Sequence, residues 1–144
     1  VGSTTSAVVR KSDRPVLITG TDRFETEKLV IAYDGSAHAK RALQTAAEIA
    51  AEWTMAAHVL VVGGENDYHL LDEARAYLDS YNLQSHYELR GGDPSETIVD
   101  YAAETGADLL VMGAYGHTKV RELVVGSTTV YALNHAPCPL LLLR

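Results

Sequence analysis

Hydrophobic residues along this chain alternate between short continuous runs and longer stretches with helical spacing. The continuous run at residues 29–33 predicts a strand that is covered on both faces, and further strands are predicted at residues 56–62, 84–89, 108–112 and 139–143. Between them, apolar residues recur every three or four positions and predict helices at residues 37–53, 67–81, 94–105 and 127–134. This alternation predicts a doubly wound α/β fold, with a parallel sheet and helices on both faces.

Three helix boundaries carry specific sequence signals. Ser36 follows an Asp-Gly turn and is the predicted N-cap of the first long helix. Asp93-Pro94-Ser95-Glu96 predicts a helix capped by Asp93, with Pro94 as its first residue. Gly106 is the predicted end of that helix.

The chain contains an internal repeat. Val1-Gly2-Ser3-Thr4-Thr5 recurs 124 residues later as Val125-Gly126-Ser127-Thr128-Thr129, and the proline-led apolar segments at Pro15 and Pro139 keep the same offset. The alternative is two helix starts with similar chemistry. We interpret residues 1–19 as the last helix and strand of a preceding copy of the domain, residues 20–27 as a linker and residues 28–144 as the domain.

Composition narrows the classes of function. The chain has 144 residues, is 47% hydrophobic and carries a net charge of −7 without a Lys/Arg cluster, so nucleic-acid and membrane-surface binding are not expected. No apolar run reaches the ~20 residues of a membrane span. The single cysteine, Cys138, fits a reducing cytoplasm. The histidines show no zinc-ligand spacing, and no catalytic set is persuasive.

Two features fall at the carboxyl ends of predicted strands, where doubly wound sheets bind ligands. Asp34 follows the first strand, and its carboxylate can accept hydrogen bonds from a ribose or an adenine edge or can serve the turn. The fourth strand leads into Gly113-x2-Gly116-x9-Gly126-Ser127, a spacing suited to phosphate at a helix N-terminus. The alternative is a glycine-rich loop with an ordinary serine cap. Neither a Walker motif nor a dinucleotide fingerprint is present.

With these segments, the chain resembles a universal stress protein domain over residues 28–144. The resemblance rests on the glycine spacing and on three segments, Ile31-Ala32-Tyr33-Asp34-Gly35-Ser36, Ala107-Asp108-Leu109-Leu110-Val111-Met112-Gly113 and Ala136-Pro137-Cys138-Pro139-Leu140-Leu141-Leu142. It implies a five-stranded parallel sheet of order 3-2-1-4-5, as in adenine nucleotide alpha hydrolase-like folds. It also implies that the chain is the second domain of a tandem pair.

The resemblance also implies an ATP-type site, with ADP or AMP as alternatives and Mg²⁺ or Mn²⁺ as open companions of the phosphates. Adenine and ribose contacts are expected from Ala32, Tyr33, Asp34 and Val62. Ribose and phosphate contacts are expected from Met112, Gly113, Gly116, Gly126, Ser127 and Thr128. His117 can donate to a phosphate or be an exposed loop residue, and Tyr115 departs from the smaller or imidazole residue common there.

The last strand, from Pro139 to Leu143, is expected at a sheet edge that invites another strand. Residues 15–19 are its predicted antiparallel partner, within the chain or from a neighbour, in a tandem pseudo-dimer or homodimer. The favoured function is nucleotide-dependent partner binding in stress response or regulation, with at most slow ATP hydrolysis. The alternatives are an interaction module with an empty site and an enzyme on a related fold.

Overall fold

The computed structural model describes residues 2–20, 25–114 and 125–144 as a six-stranded sheet with helices on both faces. The strands are β1 (Val16–Ile18), β2 (Lys28–Ala32), β3 (Ala56–Val62), β4 (Ser85–Arg90), β5 (Leu109–Gly113) and β6 (Leu140–Leu143). The helices are α1 (Ser3–Lys11), α2 (Ala37–Trp53), α3 (Tyr68–Leu78), α4 (Pro94–Thr105) and α5 (Ser127–His135). Short 3₁₀ turns at Glu65–Asp67 and Asp79–Tyr81 flank α3, so the helix predicted at 67–81 is shorter than expected.

The strand order is β1-β6-β5-β2-β3-β4. The five strands β2 to β6 are parallel and follow the predicted order 3-2-1-4-5 when β2 is counted as the first. The order reverses between β2 and β5, which pair through Leu29–Leu109, Val30–Leu110 and Ile31–Val111. The carboxyl ends of β2, β3 and β5 therefore meet beside the switch point, where such folds bind ligands.

Alternate residues of the central strands enter two separate cores. On one face, Leu29 and Ile31 pack with α2 and α3, while on the other Val30 and Leu110 pack with α4. Helix α2 approaches the sheet closely because its buried stripe is mostly alanine, namely Ala39, Ala42, Leu43, Ala46, Ala47 and Ala50. Ile49 packs against the same core but is only partly buried.

The predicted helix caps are confirmed. The Ser36 hydroxyl accepts a hydrogen bond from the main-chain N–H of Ala39 at 3.1 Å. Asp93 Oδ1 accepts one from the N–H of Glu96 at 3.2 Å, with Pro94 at the first helical position. Gly106 ends α4 in the left-handed conformation at φ 65°.

The predicted strand pairing at the sheet edge is confirmed within the chain. β1 is antiparallel to β6, with Val16 opposite Leu142, Leu17 opposite Leu141 and Ile18 opposite Leu140. The central pair, Leu17 and Leu141, occupies equivalent positions in the sequence repeat. Because the register is symmetric about that pair, a local two-fold axis passes between β1 and β6.

The repeat extends to the helices that precede these strands. Helices α1 and α5 have the same length and the same offset, and each follows a glycine N-cap in extended conformation, Gly2 and Gly126. Within residues 2–20, 25–114 and 125–144, no helix has the length and apolar character needed to cross a membrane.

Candidate functional site

A cavity of about 390 Å³ opens at the carboxyl ends of the central strands. Its volume lies in the range of small-molecule sites. The strands and the turn after β2 contribute Ala32, Tyr33, Asp34, Leu60, Val62, Met112 and Gly113. The helices and the turns before them contribute Ser36, Ala39, Asp67, Leu70, Pro94, Ile98, Thr128 and Thr129. The cavity thus lies where the topology places a ligand.

The α4 side of the cavity is an apolar slot. Ala32, Leu60, Ile98 and Met112 line it and belong to the core between the sheet and α4. Val62 is partly buried against the same core and ends β3 at the cavity. Aliphatic and thioether groups of this kind suit a flat, weakly polar ring such as a nucleobase.

Asp34 lies at the cavity wall between β2 and α2. Its Oδ1 accepts a hydrogen bond from the N–H of Ser36 at 3.0 Å, which closes a turn of the type that Asp-Gly sequences favour. The same residue lines the cavity. The turn role and the ligand role considered for Asp34 are therefore compatible, since a carboxylate has lone pairs beyond the one used by the turn.

Tyr33 lines the cavity, and its side chain also has a structural role. Its ring packs in the core with α2 and α3, and its hydroxyl donates a hydrogen bond to Glu73 on α3. Burial, then the bond to Glu73, raises the pKa of Tyr33, and the same bond lowers the pKa of Glu73. Since the Tyr33 N–H donates to the carbonyl of Leu60 at 2.9 Å, the residue supports the cavity wall chiefly through its main chain.

The N-terminus of α5 also borders the cavity. Gly126 is the N-cap, Ser127 is the first helical residue and is exposed, and Thr128 and Thr129 line the cavity. Thr129 is 2% exposed, and its hydroxyl donates a hydrogen bond to the carbonyl of Ala114 at 2.7 Å. This bond fixes the helix start, with its free N–H groups and positive dipole end, against the end of β5.

Gly113 has a packing role in addition to its place in the cavity wall. A Cβ at this position would lie 2.8 Å from the Cβ of His38 and 3.0 Å from its carbonyl carbon. The end of β5 therefore touches the first turn of α2, and only glycine leaves room for that contact. The glycine spacing had suggested close approach of a ligand alone.

Seven of the predicted ligand-binding residues line the cavity: Ala32, Tyr33, Asp34, Val62, Met112, Gly113 and Thr128. Gly126 and Ser127 lie at the adjoining helix start without lining it. Gly116 and His117, like Tyr115, Lys119 and Arg121, lie outside the described residues.

Sequence reasoning missed several lining residues, among them Leu60, Asp67, Pro94, Ile98 and Thr129. Pro94 and Asp67 could have been found, because each follows closely after a predicted strand at the same edge of the sheet. Leu60 and Ile98 carry no sequence signal beyond that of ordinary core residues.

The described part of the chain gives little support to metal binding or to a reactive cysteine. There, no group of three or more His, Cys, Asp or Glu side chains could hold a metal ion. Burial raises the pKa of the Cys138 thiol to about 11, which suppresses the reactive thiolate near neutral pH.

The sequence profile of the universal stress protein family matches residues 62–144. The chain belongs to the universal stress protein family. It is 32% identical over its full length to the universal stress protein Slr1230 of Synechocystis and covers 52% of that protein. A universal stress protein structure from Archaeoglobus fulgidus superimposes with a TM-score of 0.87 at 24% identity, covering 99% of this chain and 55% of that one. The chain thus spans about half the length of both relatives.

Two other universal stress protein structures that share the fold contain nucleotides. One was solved in complex with cAMP and superimposes with a TM-score of 0.72 at 24% identity, covering 82% of this chain and 96% of that chain. The other, from Arabidopsis thaliana, has AMP bound and superimposes with a TM-score of 0.65 at 19% identity, covering 81% of this chain and 90% of that chain.

Proposed function

We propose that this universal stress protein domain binds an adenine nucleotide of the ATP type, with ADP and AMP as alternative ligands. The observation that carries the proposal is the cavity itself, which joins an apolar slot to a helix N-terminus at the switch point of the sheet. The cAMP and AMP complexes of fold relatives support the same ligand class.

Each part of the cavity suits one part of the ligand. The slot between Val62, Ile98 and Met112 would hold the base, and Asp34 would accept hydrogen bonds from the ribose hydroxyls. The first turn of α5, with Thr128 at its rim, would receive the phosphates through main-chain N–H groups. The phosphate oxygens of the nucleotide would coordinate any divalent cation.

We further propose that bound nucleotide alters partner binding in a stress or regulatory response in the cytoplasm. The two ends of the β5–α5 connection, Gly113 and Gly126, lie at or beside the cavity. A phosphate chain at this place would therefore change the surface that the connection presents. Any hydrolysis would be slow, since the described lining residues include no lysine or arginine to stabilise the transition state.

Calorimetry with ATP, ADP, AMP and cAMP tests the proposed function. Substituting Gly126→Trp should abolish binding, because the indole would cover the first turn of α5. Gly2→Trp is the matched control, since Gly2 is the equivalent N-cap on α1 and has no atom within 4 Å of a built Cβ. Wild-type protein without affinity for any of the four nucleotides would refute the proposal.

We also propose that residues 1–19 are the last helix and strand of a first domain copy, so that the chain holds part of a tandem pair. The repeat-symmetric pairing of β1 with β6 supports this, as does the coverage of about half of two longer relatives. A chain beginning at residue 25 would leave the edge of β6 open, and we expect it to dimerise through that strand. A strictly monomeric product in light scattering at about 100 μM would contradict this.

A further inference from the structure

The proposed function leaves open how the site distinguishes one base from another. In the sheet order, β5 and β3 lie on opposite sides of β2. The α5 start adjoins the β5 side, where the Thr129 hydroxyl bonds to Ala114. A nucleotide with its phosphates at the start of α5 would therefore place its base on the β3 side, where Val62 and Asp67 line the cavity.

Asp67 is held in place at that end by two contacts with the turn after β3. Its Oδ2 accepts a hydrogen bond from the N–H of Gly64 at 2.9 Å. A Cβ built on Gly63 would lie 2.2 Å from the same oxygen, so the carboxylate lies directly over the Gly63 main chain. Gly63 in turn donates its N–H to the carbonyl of Arg90 at 2.8 Å. The carboxylate is thus positioned over the turn that follows Val62 before any ligand arrives.

An ionised carboxylate only accepts hydrogen bonds. Adenine presents an amino group at position 6, whereas hypoxanthine presents a carbonyl oxygen at the same position. An acceptor that faces position 6 would therefore attract the amino group of adenine and repel the oxygen of a 6-oxo purine. Hypoxanthine also carries a proton on N1, so this discrimination requires the carboxylate to face position 6 and not N1. At the half-buried Asp67 carboxylate, the wrong base would replace a charge-assisted hydrogen bond with a repulsion between two oxygens.

We propose that Asp67 is the base-specificity residue of this site and accepts a hydrogen bond from the 6-amino group of adenine. This inference rests on the proposed nucleotide binding. It assigns to a residue of the β3–α3 turn a role beyond bonding to the Gly64 N–H.

The test compares ATP with ITP, which differ in the group at position 6 and in the proton on N1, on wild type and on Asp67→Asn. The asparagine can still accept the Gly64 N–H through its oxygen and can also donate to a carbonyl through its amide nitrogen. We expect wild type to bind ATP at least about tenfold more tightly than ITP, and Asp67→Asn to bring the two within about threefold. Glu65→Gln is the matched control, because it makes the same charge change in the same turn at an exposed residue that does not line the cavity.

The outcomes separate the inference from the function on which it rests. An unchanged ATP-to-ITP ratio in Asp67→Asn would overturn the role of Asp67 while leaving nucleotide binding intact. If Asp67→Asn bound ATP and ITP more tightly by the same factor, the proposal would also be overturned. That result would mean that the Asp67 carboxylate repels the phosphates and does not contact the base. Wild-type protein that binds neither nucleotide would refute the proposed function as well. Melting temperatures of the unliganded variants check that each one folds.

Discussion

The contact between Gly113 and the first turn of α2 gives the sharpest prediction for stability. In Gly113→Ala the new methyl group would meet the His38 Cβ at 2.8 Å, its carbonyl carbon at 3.0 Å and the Ala39 nitrogen at 3.1 Å. Two of these three atoms belong to the main chain, so the helix itself must move. Gly113 is not among the positive-φ glycines, and the substitution therefore tests packing and not backbone conformation.

Overpacking of this kind costs about 1–3 kcal/mol, and the lower entropy of an unfolded alanine chain offsets about 0.5–1 kcal/mol of that. We expect Gly113→Ala to lower the free energy of unfolding by about 1–2 kcal/mol, or the melting temperature by about 3–8 °C. Because Ser36 and Ala39 line the cavity, the shifted helix should also weaken ATP binding by about tenfold.

Urea unfolding followed by circular dichroism measures the stability, and calorimetry measures the binding. Gly64→Ala is the matched control, because no atom lies within 4 Å of its built Cβ and its φ of −109° suits any residue. The control should stay within about 0.5 kcal/mol of wild type. A Gly113→Ala protein as stable as the control, with an unchanged denaturant slope, would refute the packing argument.

Three further predictions concern other contacts. Thr129→Val removes a buried hydroxyl and should cost about 1–3 kcal/mol in urea unfolding, whereas Thr129→Ser should keep the hydrogen bond. Burial and the stacked His86 ring lower the pKa of His58, so the unfolded chain binds more protons and stability should fall below about pH 6.5. His86→Gln should reduce the loss of stability between pH 7 and pH 5. His69→Gln is the control, and the same reduction in that variant would contradict a specific effect of His86 on His58. Cys138 should react with a disulfide reagent about tenfold faster per pH unit between pH 8 and pH 10 while folded, and a flat profile would contradict its burial.

The pattern of the sequence predicted the sheet because the central strands are mostly apolar runs bounded by turn residues. Helix α2 and strand β3 have the predicted bounds. Ser36 marks the start of α2, and the Gly63-Gly64 pair marks the end of β3. The segment 67–81 was predicted as one helix but divides into a helix and two 3₁₀ turns. There Asp67 accepts the Gly64 N–H, which competes with its role as a helix cap.

Some residues of the candidate site could be predicted from the sequence, and others could not. Residues at the ends of strands, such as Asp34 and Met112, were predictable because parallel strands end at one edge of the sheet. Leu60 and Ile98 were not, because their part in the cavity depends on how α4 packs over the sheet. The ring of Tyr33 lies in the opposite core, as alternation along the strand directs, although the residue also lines the cavity.

The repeated segment shows which part of the site is local and which depends on the fold. Gly2-Ser3-Thr4-Thr5 and Gly126-Ser127-Thr128-Thr129 have the same sequence, and both begin a nine-residue helix after an extended glycine. Only the second copy borders the cavity, where Thr129 is buried and bonded to the end of β5, while Thr5 is half-buried. Local sequence thus specifies a helix start with free N–H groups, but a ligand site requires the strand ends that face it. This is why Gly2→Trp and Gly126→Trp should differ in nucleotide binding although the substitution and its local setting are the same.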